Sequence, residues 1–229
     1  KMEETEVCFL MDRFGYMRVI DRNAYERNKE AAHAENKFVF TCMNTDKICI
    51  FTDMGRMHSI KVVDIPLVRF RDKGTPVDNL SNYDSTQEQI LYVVPVGQVK
   101  LSSLLFVTKT SMCKLVAGSE FDVSKRTIAS TKLGEEDALI FVGPADEMEQ
   151  IVFQSQGGYF LRILKNDVSA MKKTSVGVRG MKLAEGDVLE HAYLIEPRQE
   201  YTITYHDKPY SLNKVKLAKR DTKGTKPRI

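Results

Sequence analysis

The sequence predicts an all-β fold in which five similar repeats pack as the blades of a propeller-like domain. Short segments of β-branched and aromatic residues recur along the 229 residues, and each ends in turn-forming residues. Most lead through a tight turn into a second short strand, and a basic loop rich in Gly, Ser and Thr follows the hairpin. Because hairpins and loops keep a similar period, a β-sandwich with chance similarities explains the pattern less well.

The hairpins define the repeats. The clearest strand segments are FVFTCM, KICIFTD, LLFVTKT, QIVFQSQ and YTITYHD, and the second strands are GYMRVI, GRMHSIKVV, MCKLV, GYFLRIL and the less regular HDKPYSLNKVKL. The turns fall at Gly15, Gly55, Ser111, Gly158 and about Lys208, and Gly157–Gly158 is expected to form a hairpin turn that needs a positive φ. This spacing predicts a single domain over residues 1–229, with blades at about 7–46, 47–100, 101–149, 150–200 and 201–229. Only RNAYERNKEAAHAEN, residues 22–36, favours a helix.

The basic loops carry the candidate functional residues. They are RFRDKGTPVDNL (69–80), KRTIASTKL (125–133), KKTSVGVRGMKL (172–183) and KRDTKGTKPRI (219–229), here called loops two to five. YERNKEAAHAENK (25–37) stands in their place in the first repeat. The small residues Gly74, Ser130, Gly180 and Gly224 are expected to mark one equivalent position. The candidate binding residues are Arg69, Arg71, Lys73, Lys125, Arg126, Lys132, Lys172, Lys173, Arg179, Lys182, Lys219, Arg220, Lys223 and Lys226.

Equivalent loops of a ring of blades fall on one rim, so the clusters predict a curved positive track. Lys and Arg release counterions from phosphates, and small residues let backbone amides approach them. Irregular spacing of the bases indicates backbone contact to a bent duplex without base reading. Lys-rich turns also keep β-rich proteins soluble and protect sheet edges, but solubility requires no register between repeats.

The charge distribution along the chain is more informative than the formal net charge of +3. Gly134–Gln150 holds six acids and no Lys or Arg, whereas Lys208–Arg228 holds eight bases and one acid. Such segregation produces strong local fields in a nearly neutral protein. The charge ranks loops four and five highest and the first repeat lowest.

The sequence offers no recognisable catalytic or metal-binding constellation. It lacks the HExxH, GxGxxG, GxxxxGK[ST] and GxSxG patterns, and its four histidines lie far apart. The cysteines form no CxxC pair and are expected to be buried thiols. No apolar run reaches the roughly 20 residues of a membrane helix. The start of the sequence has no signal-peptide pattern, and we therefore expect a cytosolic location. The opening Lys-Met-Glu predicts a domain cut from a longer protein.

The order of hairpin, basic loop, glycine and apolar strand resembles the β-pinwheel C-terminal domain of the A subunit of bacterial type IIA topoisomerases, DNA gyrase and topoisomerase IV. FTDMGRMHSIKVVDIP (51–66) and TSVGVRGMKLAEGDVLE (174–190) carry the resemblance most strongly. It implies a five-bladed β-pinwheel that binds and bends double-stranded DNA and presents it to the catalytic core of the same A subunit. It also implies a B subunit with ATPase activity in an A2B2 assembly, located in the cytoplasm at the nucleoid.

The resemblance places the cleaving tyrosine, ATP and Mg²⁺ outside this domain, which is expected to hold no catalytic residue and no cofactor. Gyrase carries a Gln-Arg-Arg-Gly-Gly-x-Gly box in its first blade, where this chain has the glycine-free ERNKEAAHAEN (26–36). RFRDKGTP in loop two is a degenerate version. The departure favours a topoisomerase IV-like domain or a divergent gyrase without chiral wrapping. The alternative is a propeller that acts as a protein-interaction scaffold without DNA binding.

Overall fold

The computed structural model describes residues 1–228 and consists mainly of short antiparallel strands. The strands group into five sheets within this range. Ile229, the last residue of loop five, lies outside the described residues. The number of blades stays a prediction, because grouping into sheets does not by itself count blades.

The chain divides into two compact units, and unit 1 comprises residues 1–52, 56–101 and 121–130. Its first sheet has the order β3-β1-β2-β6, and its second has the order β10-β5-β4-β7. The first contains β1 (Glu6–Met11), β2 (Tyr16–Asp21), β3 (Phe38–Met43) and β6 (Thr75–Pro76). The second contains β4 (Lys47–Thr52), β5 (Arg56–Lys61), β7 (Ile90–Pro95) and β10 (Thr127–Ala129). Phe9, Ile50 and Ile60 belong to the main apolar core of this unit.

Unit 2 comprises residues 53–55 and 102–120 and the chain from Thr131 onward. Its sheets have the orders β11-β8-β9-β14, β13-β12-β15 and β16-β17. The strands are β8 (Ser103–Thr108), β9 (Met112–Ala117), β11 (Leu139–Pro144), β12 (Gln150–Ser155), β13 (Phe160–Leu164), β14 (Val178–Arg179), β15 (Leu189–Ile195), β16 (Thr202–Tyr205) and β17 (Lys208–Ser211). Leu105, Phe153 and Ile163 belong to its main core.

The predicted hairpin turns are confirmed. Gly15, Gly55, Ser111 and Gly158 all have positive φ, between 72° and 90°. In the last hairpin His206 and Asp207 take the positive φ just before Lys208. The FVFTCM segment is a strand as predicted, but it pairs with β1 on the side away from β2.

The predicted helical region folds as two short helices, α1 (Arg22–Arg27) and α2 (Lys29–Glu35). Asp21 caps α1 by accepting a hydrogen bond from the Ala24 amide at 2.7 Å. Two further helices of four residues, α3 (Val77–Leu80) and α4 (Val96–Val99), follow strands β6 and β7. None of the helices within residues 1–228 has the length and hydropathy needed to cross a membrane.

The four cysteines, Cys8, Cys42, Cys49 and Cys113, are buried and free, as expected. Burial raises the pKa of each thiol to about 12. A thiol with such a pKa stays protonated at neutral pH and packs as a small apolar group.

Each basic loop completes the sheet of the preceding repeat. In unit 1, β6 of loop two pairs with β2, and β10 of loop three pairs with β5. In unit 2, β14 of loop four pairs with β9, and Thr225 of loop five forms a bridge with Phe160 at the start of β13.

This pairing corrects the expected marker positions. The residues that pair two positions after the hairpin turn are Thr75, Ile128, Val178 and Thr225, and the residues just before them are Gly74, Thr127, Gly177 and Gly224. Ser130 and Gly180 lie three residues further on and are not equivalent to Gly74 and Gly224. The glycines at this position approach backbone closely, since a Cβ at Gly177 would lie 2.6 Å from the Cys113 carbonyl oxygen.

Candidate nucleic-acid interface

Most of the fourteen candidate bases are exposed. Lys173 and Arg220 are half-buried, and the other twelve are exposed. Exposed cations on loops with defined backbone geometry can reach a polyanion with little rearrangement of the fold. The predicted residues are therefore placed where a ligand in solvent can meet them.

Loops two and three meet in unit 1. The Arg18 side chain of β2 donates from Nε to the Phe70 carbonyl oxygen in loop two at 3.2 Å. At the end of this loop, the Leu80 carbonyl oxygen accepts a hydrogen bond from Arg126 Nη2 at 3.0 Å. Asn82 then donates to the Thr127 hydroxyl at 3.0 Å. The end of loop two is thus tied to loop three.

The three bases of loop two each contact a carboxylate or an aromatic ring. Arg69 Nη2 lies 3.3 Å from Asp72 Oδ1, and hydrogen bonds from the Arg69 backbone and side chain lower the pKa of the Asp72 carboxyl. Arg71 lies over the Phe70 ring at 5.6 Å and Lys73 over Tyr16 at 5.1 Å. Exposed pairs of this kind contribute little and can be exchanged for a phosphate.

Loops three, four and five join in unit 2 through backbone hydrogen bonds. The Lys132 amide donates to the Ser175 carbonyl oxygen at 3.3 Å, which links loop three to loop four. The Lys182 amide donates to the Thr222 carbonyl oxygen at 2.9 Å, and the Asp221 amide donates to that of Gly180 at 2.6 Å. These bonds link loop four to loop five.

We call residues 131–132, 172–182 and 219–226 the loop strip. It contains nine bases and one acid. The bases are Lys132, Lys172, Lys173, Arg179, Lys182, Lys219, Arg220, Lys223 and Lys226, and the acid is Asp221. The structure thus brings together, on loops joined by backbone hydrogen bonds, most of the bases that the sequence predicted.

Asp221 is the one acid that the sequence shows between residues 208 and 228, but its pairing with a base was not predicted. Its Oδ1 lies 2.7 Å from Arg179 Nε, and both side chains are roughly half exposed. The Arg220 side chain fixes the backbone at Arg179, because its Nη1 donates to the Arg179 carbonyl oxygen at 2.8 Å. The Arg179 guanidinium is therefore occupied by a neighbouring carboxylate.

Lys223 and Lys226 of loop five share an aromatic neighbour. The Nζ atoms of both lysines lie 5.1 Å from the centre of the Tyr159 ring. Such contacts are weak at exposed sites, so the ammonium groups can turn toward a phosphate at little cost.

Lys114 lies beneath loop four and was also missed. It belongs to β9, is 1% exposed, and donates from Nζ to the carbonyl oxygens of Lys172, Lys173 and Ser175 at 3.0, 3.1 and 2.7 Å. Burial lowers the pKa of its ammonium group to about 8, and the Glu120 carboxylate opposes that shift. Nothing in MCKLV separates such a lysine from one that points to solvent.

The first repeat presents helices in place of a glycine-rich loop. Residues of ERNKEAAHAEN lie in α1 and α2, where Glu26, Glu30 and Glu35 accompany the bases. No group of three or more His, Cys, Asp or Glu residues that could hold a metal ion occurs within residues 1–228. Asp137 of the acidic run instead accepts hydrogen bonds from the Thr110 amide and hydroxyl.

Comparison with known sequences gives a family match. A model described as DNA gyrase C-terminal domain, beta-propeller, matches residues 46–86, 102–146 and 149–196. The A subunit of DNA gyrase from Salmonella typhimurium is 28% identical over 214 residues, which are 88% of this chain and 24% of that protein. The A subunit of DNA topoisomerase 4 from Streptococcus pneumoniae is 26% identical over 195 residues, which are 82% of this chain and 24% of that protein. The chain thus spans about a quarter of these relatives.

Solved structures share the fold. The C-terminal domain of DNA topoisomerase IV superposes with a TM-score of 0.87 at 22% identity, covering 98% of this chain and 73% of that one. The E. coli ParC C-terminal domain gives a TM-score of 0.77 at 16% identity, and the match covers 98% of this chain and 94% of that one. The prediction of an all-β pinwheel fold is confirmed at this level.

Proposed function

Because the chain belongs to the family of DNA gyrase C-terminal β-propeller domains, we propose that it binds duplex DNA through its basic loops without reading sequence. The observation that carries this proposal is the loop strip, with nine bases and one acid on backbone that hydrogen bonds hold together. Lys and Arg contacts to phosphates supply affinity and orientation, whereas sequence reading requires contacts to base edges.

The proposed DNA path bends over the loops and presents the duplex to the catalytic core of a type IIA topoisomerase. Several phosphate contacts on a curved surface offset the cost of bending the duplex. The loop strip is the main contact, and loop two with Lys125 and Arg126 is a secondary one. We retain five blades, at residues 7–46, 47–100, 101–149, 150–200 and 201–229, as part of this proposal.

We assign the wider activity to a whole protein of which this chain is one part. That protein is an ATP-dependent type II DNA topoisomerase, with the cleaving tyrosine, ATP and Mg²⁺ held outside this chain. Its partners are the catalytic core of the same polypeptide and an ATPase partner, the B subunit, in an A2B2 assembly. It works in the cytoplasm at the nucleoid.

Salt dependence tests the proposal. Fluorescence anisotropy with labelled duplexes of unrelated sequence should give similar dissociation constants at one salt concentration. If roughly four phosphates are contacted, affinity should fall about 100-fold between about 50 and 200 mM salt. Absence of binding at the lowest salt would refute DNA binding and favour the protein-interaction scaffold.

The helices in the first repeat lead to a prediction about DNA topology. Ligating nicked circular DNA in the presence of the purified domain should leave the linking number unchanged, because α1 and α2 replace the glycine-rich box. A gyrase C-terminal domain that carries the box is the positive control. A shift of linking number with this chain would show chiral wrapping and contradict the topoisomerase IV-like assignment.

Removing the acid from the loop strip is expected to strengthen DNA binding. Asp221→Asn frees Arg179 for a phosphate, and we expect about a threefold gain in affinity and a salt slope steeper by about one. Asn tolerates the left-handed backbone at this position, where φ is 63°. Glu185→Gln makes the same charge change on the exposed acidic turn outside the strip. Equal gains in DNA affinity from both variants would show that only the net charge matters and that Arg179 is not freed for a phosphate contact.

A further inference from the structure

Lys114 is a fully buried lysine in a strand of unit 2. In β9 it lies between Cys113 and Leu115, three positions after the turn residue Ser111. A lysine is almost never fully buried unless its ammonium group is paired. Here three carbonyl oxygens of loop four surround the ammonium group, and the Ser175 hydroxyl lies 3.4 Å from it.

The three acceptors match the three N–H bonds of an ammonium group. They come from residues 172–175, the stretch that contributes Lys172 and Lys173 to the loop strip. Hydrogen bonds from a charged donor are roughly twice as strong as neutral ones. A single side chain therefore fixes the backbone from which two candidate DNA contacts project.

The Glu120 carboxylate supplies a negative charge that acts on the Lys114 ammonium group. Glu120 accepts a hydrogen bond from the Lys173 amide at 3.2 Å, and its carboxylate lies 3.8 Å from Lys173 Nζ. Strand β8 contributes the Phe106 ring, 5.8 Å from Lys114 Nζ. The carboxylate thus engages the loop, and the backbone carbonyls provide the hydrogen bonds to Lys114.

A similar contact, with one hydrogen bond in place of three, occurs in the first repeat. Arg18 stands three positions after its turn residue Gly15, as Lys114 does after Ser111. Its Nε donates to a carbonyl oxygen of loop two. In two repeats, then, a cationic side chain at an equivalent strand position holds a basic loop by its backbone.

We propose that Lys114 is a positioning residue for DNA binding, which holds residues 172–175 so that Lys172 and Lys173 meet the phosphates. This inference rests on the proposed function. Lys114 itself is sealed from solvent and does not touch DNA. Its effect on affinity passes through the two loop lysines.

A double-mutant cycle tests the inference. Lys114→Met removes the charge and keeps the chain length, and we expect it to weaken binding of a mixed-sequence duplex about fivefold. The same change in a Lys172→Ala, Lys173→Ala background should weaken binding less than about twofold further, because interacting residues are not additive. Full additivity would overturn the inference. If the loop double variant alone leaves affinity unchanged, the proposed function fails at this loop instead.

Two further variants separate positioning from general stability. Lys165 is a matched control, since its Nζ also donates to backbone, at 2.8 Å to the Ala145 carbonyl oxygen, but outside the loop strip. Lys165→Met should leave DNA affinity unchanged, and equal weakening by both lysine variants would overturn the inference. Lys114→Arg should restore most of the affinity, because Arg18 plays this part in the first repeat. Failure of folded Lys114→Arg to restore affinity would also contradict the inference.

Hydrogen exchange gives a readout without DNA. The amides of residues 172–176 should exchange faster in Lys114→Met, whereas the strand amides of β12 and β13 should keep their rates. Unchanged exchange in the loop would refute the positioning role even if DNA affinity fell.

Discussion

Reversing the charge of Lys172, Lys173 and Arg179 together to Glu is expected to weaken duplex binding at least about 100-fold at low salt. The loss should be equal for all sequences, because the contacts proposed for these residues are to phosphates. The slope of log affinity against log salt should become shallower by about two, because the Arg179 guanidinium is already paired with Asp221. Anisotropy titrations over several salt concentrations measure both quantities, and circular dichroism checks that the variant is folded.

A matched triple variant keeps the change in net charge and moves its place. Lys208, Lys214 and Lys216 are exposed and lie outside the loop strip. Their reversal to Glu should weaken binding less than about tenfold, because general attraction is screened over about 10 Å at 0.1 M salt. Equal losses from the two triple variants would show that the loop strip has no special role.

Gly177→Ala is expected to be the most destabilising of the conservative changes in loop four, at about 3 kcal/mol or more. Gly177 has a φ of +111°, and a Cβ there would lie 2.6 Å from the Cys113 carbonyl oxygen. The methyl group would thus both strain the backbone and push β14 away from β9. Chemical denaturation measures the change in the free energy of unfolding, and DNA affinity should fall with it because Arg179 lies in β14.

Two other glycines separate these causes. Gly186 has a φ of +78° with no atom within 4 Å of the place that a Cβ would take, so Gly186→Ala should cost only about 1 kcal/mol from backbone strain. Gly134 has neither a positive φ nor a close atom, and its change to Ala should be nearly neutral. Equal destabilisation by Gly177→Ala and Gly186→Ala would mean that the close approach of loop four to β9 is unimportant.

The hairpins could be predicted from sequence because their signal is local. Alternating apolar residues and a turn glycine occupy a few adjacent positions, as in the stretch around Gly55, and backbone geometry follows directly. The helical region was also visible in composition. The break between α1 and α2 at Asn28 was not predicted.

The register of the basic loops could not be predicted, because strand pairing across repeats sets it. Loop four has glycines at both 177 and 180, and Gly180 is also tightly packed, with a Cβ expected 2.6 Å from the Phe153 ring. In loop three the equivalent residue is Thr127, which is not especially small. Choosing the equivalent residue by its small size therefore selected Ser130 in loop three and Gly180 in loop four, each three positions after the residue that strand pairing makes equivalent.

Two further features of the site had no sequence signal. The hydrogen bonds that join loops three, four and five run between backbone atoms, which every residue has. The burial of Lys114 depends on where the carbonyls of loop four lie, and this is a tertiary property. Exposed bases could be predicted from the sequence, but the residues that hold or occupy them could not.

Completion of one sheet by the following repeat has a consequence for how such a chain can be cut or extended. A segment that ends at a predicted repeat boundary leaves the last sheet with an unpaired edge, which invites association with other chains. A piece that carries one whole sheet runs from the first strand of its hairpin to the end of the basic loop in the following repeat, as from Lys47 in β4 to Ala129 in β10. Such a piece also contains the basic loop that completes the preceding sheet, so neighbouring sheets overlap in sequence and cannot be exchanged one at a time.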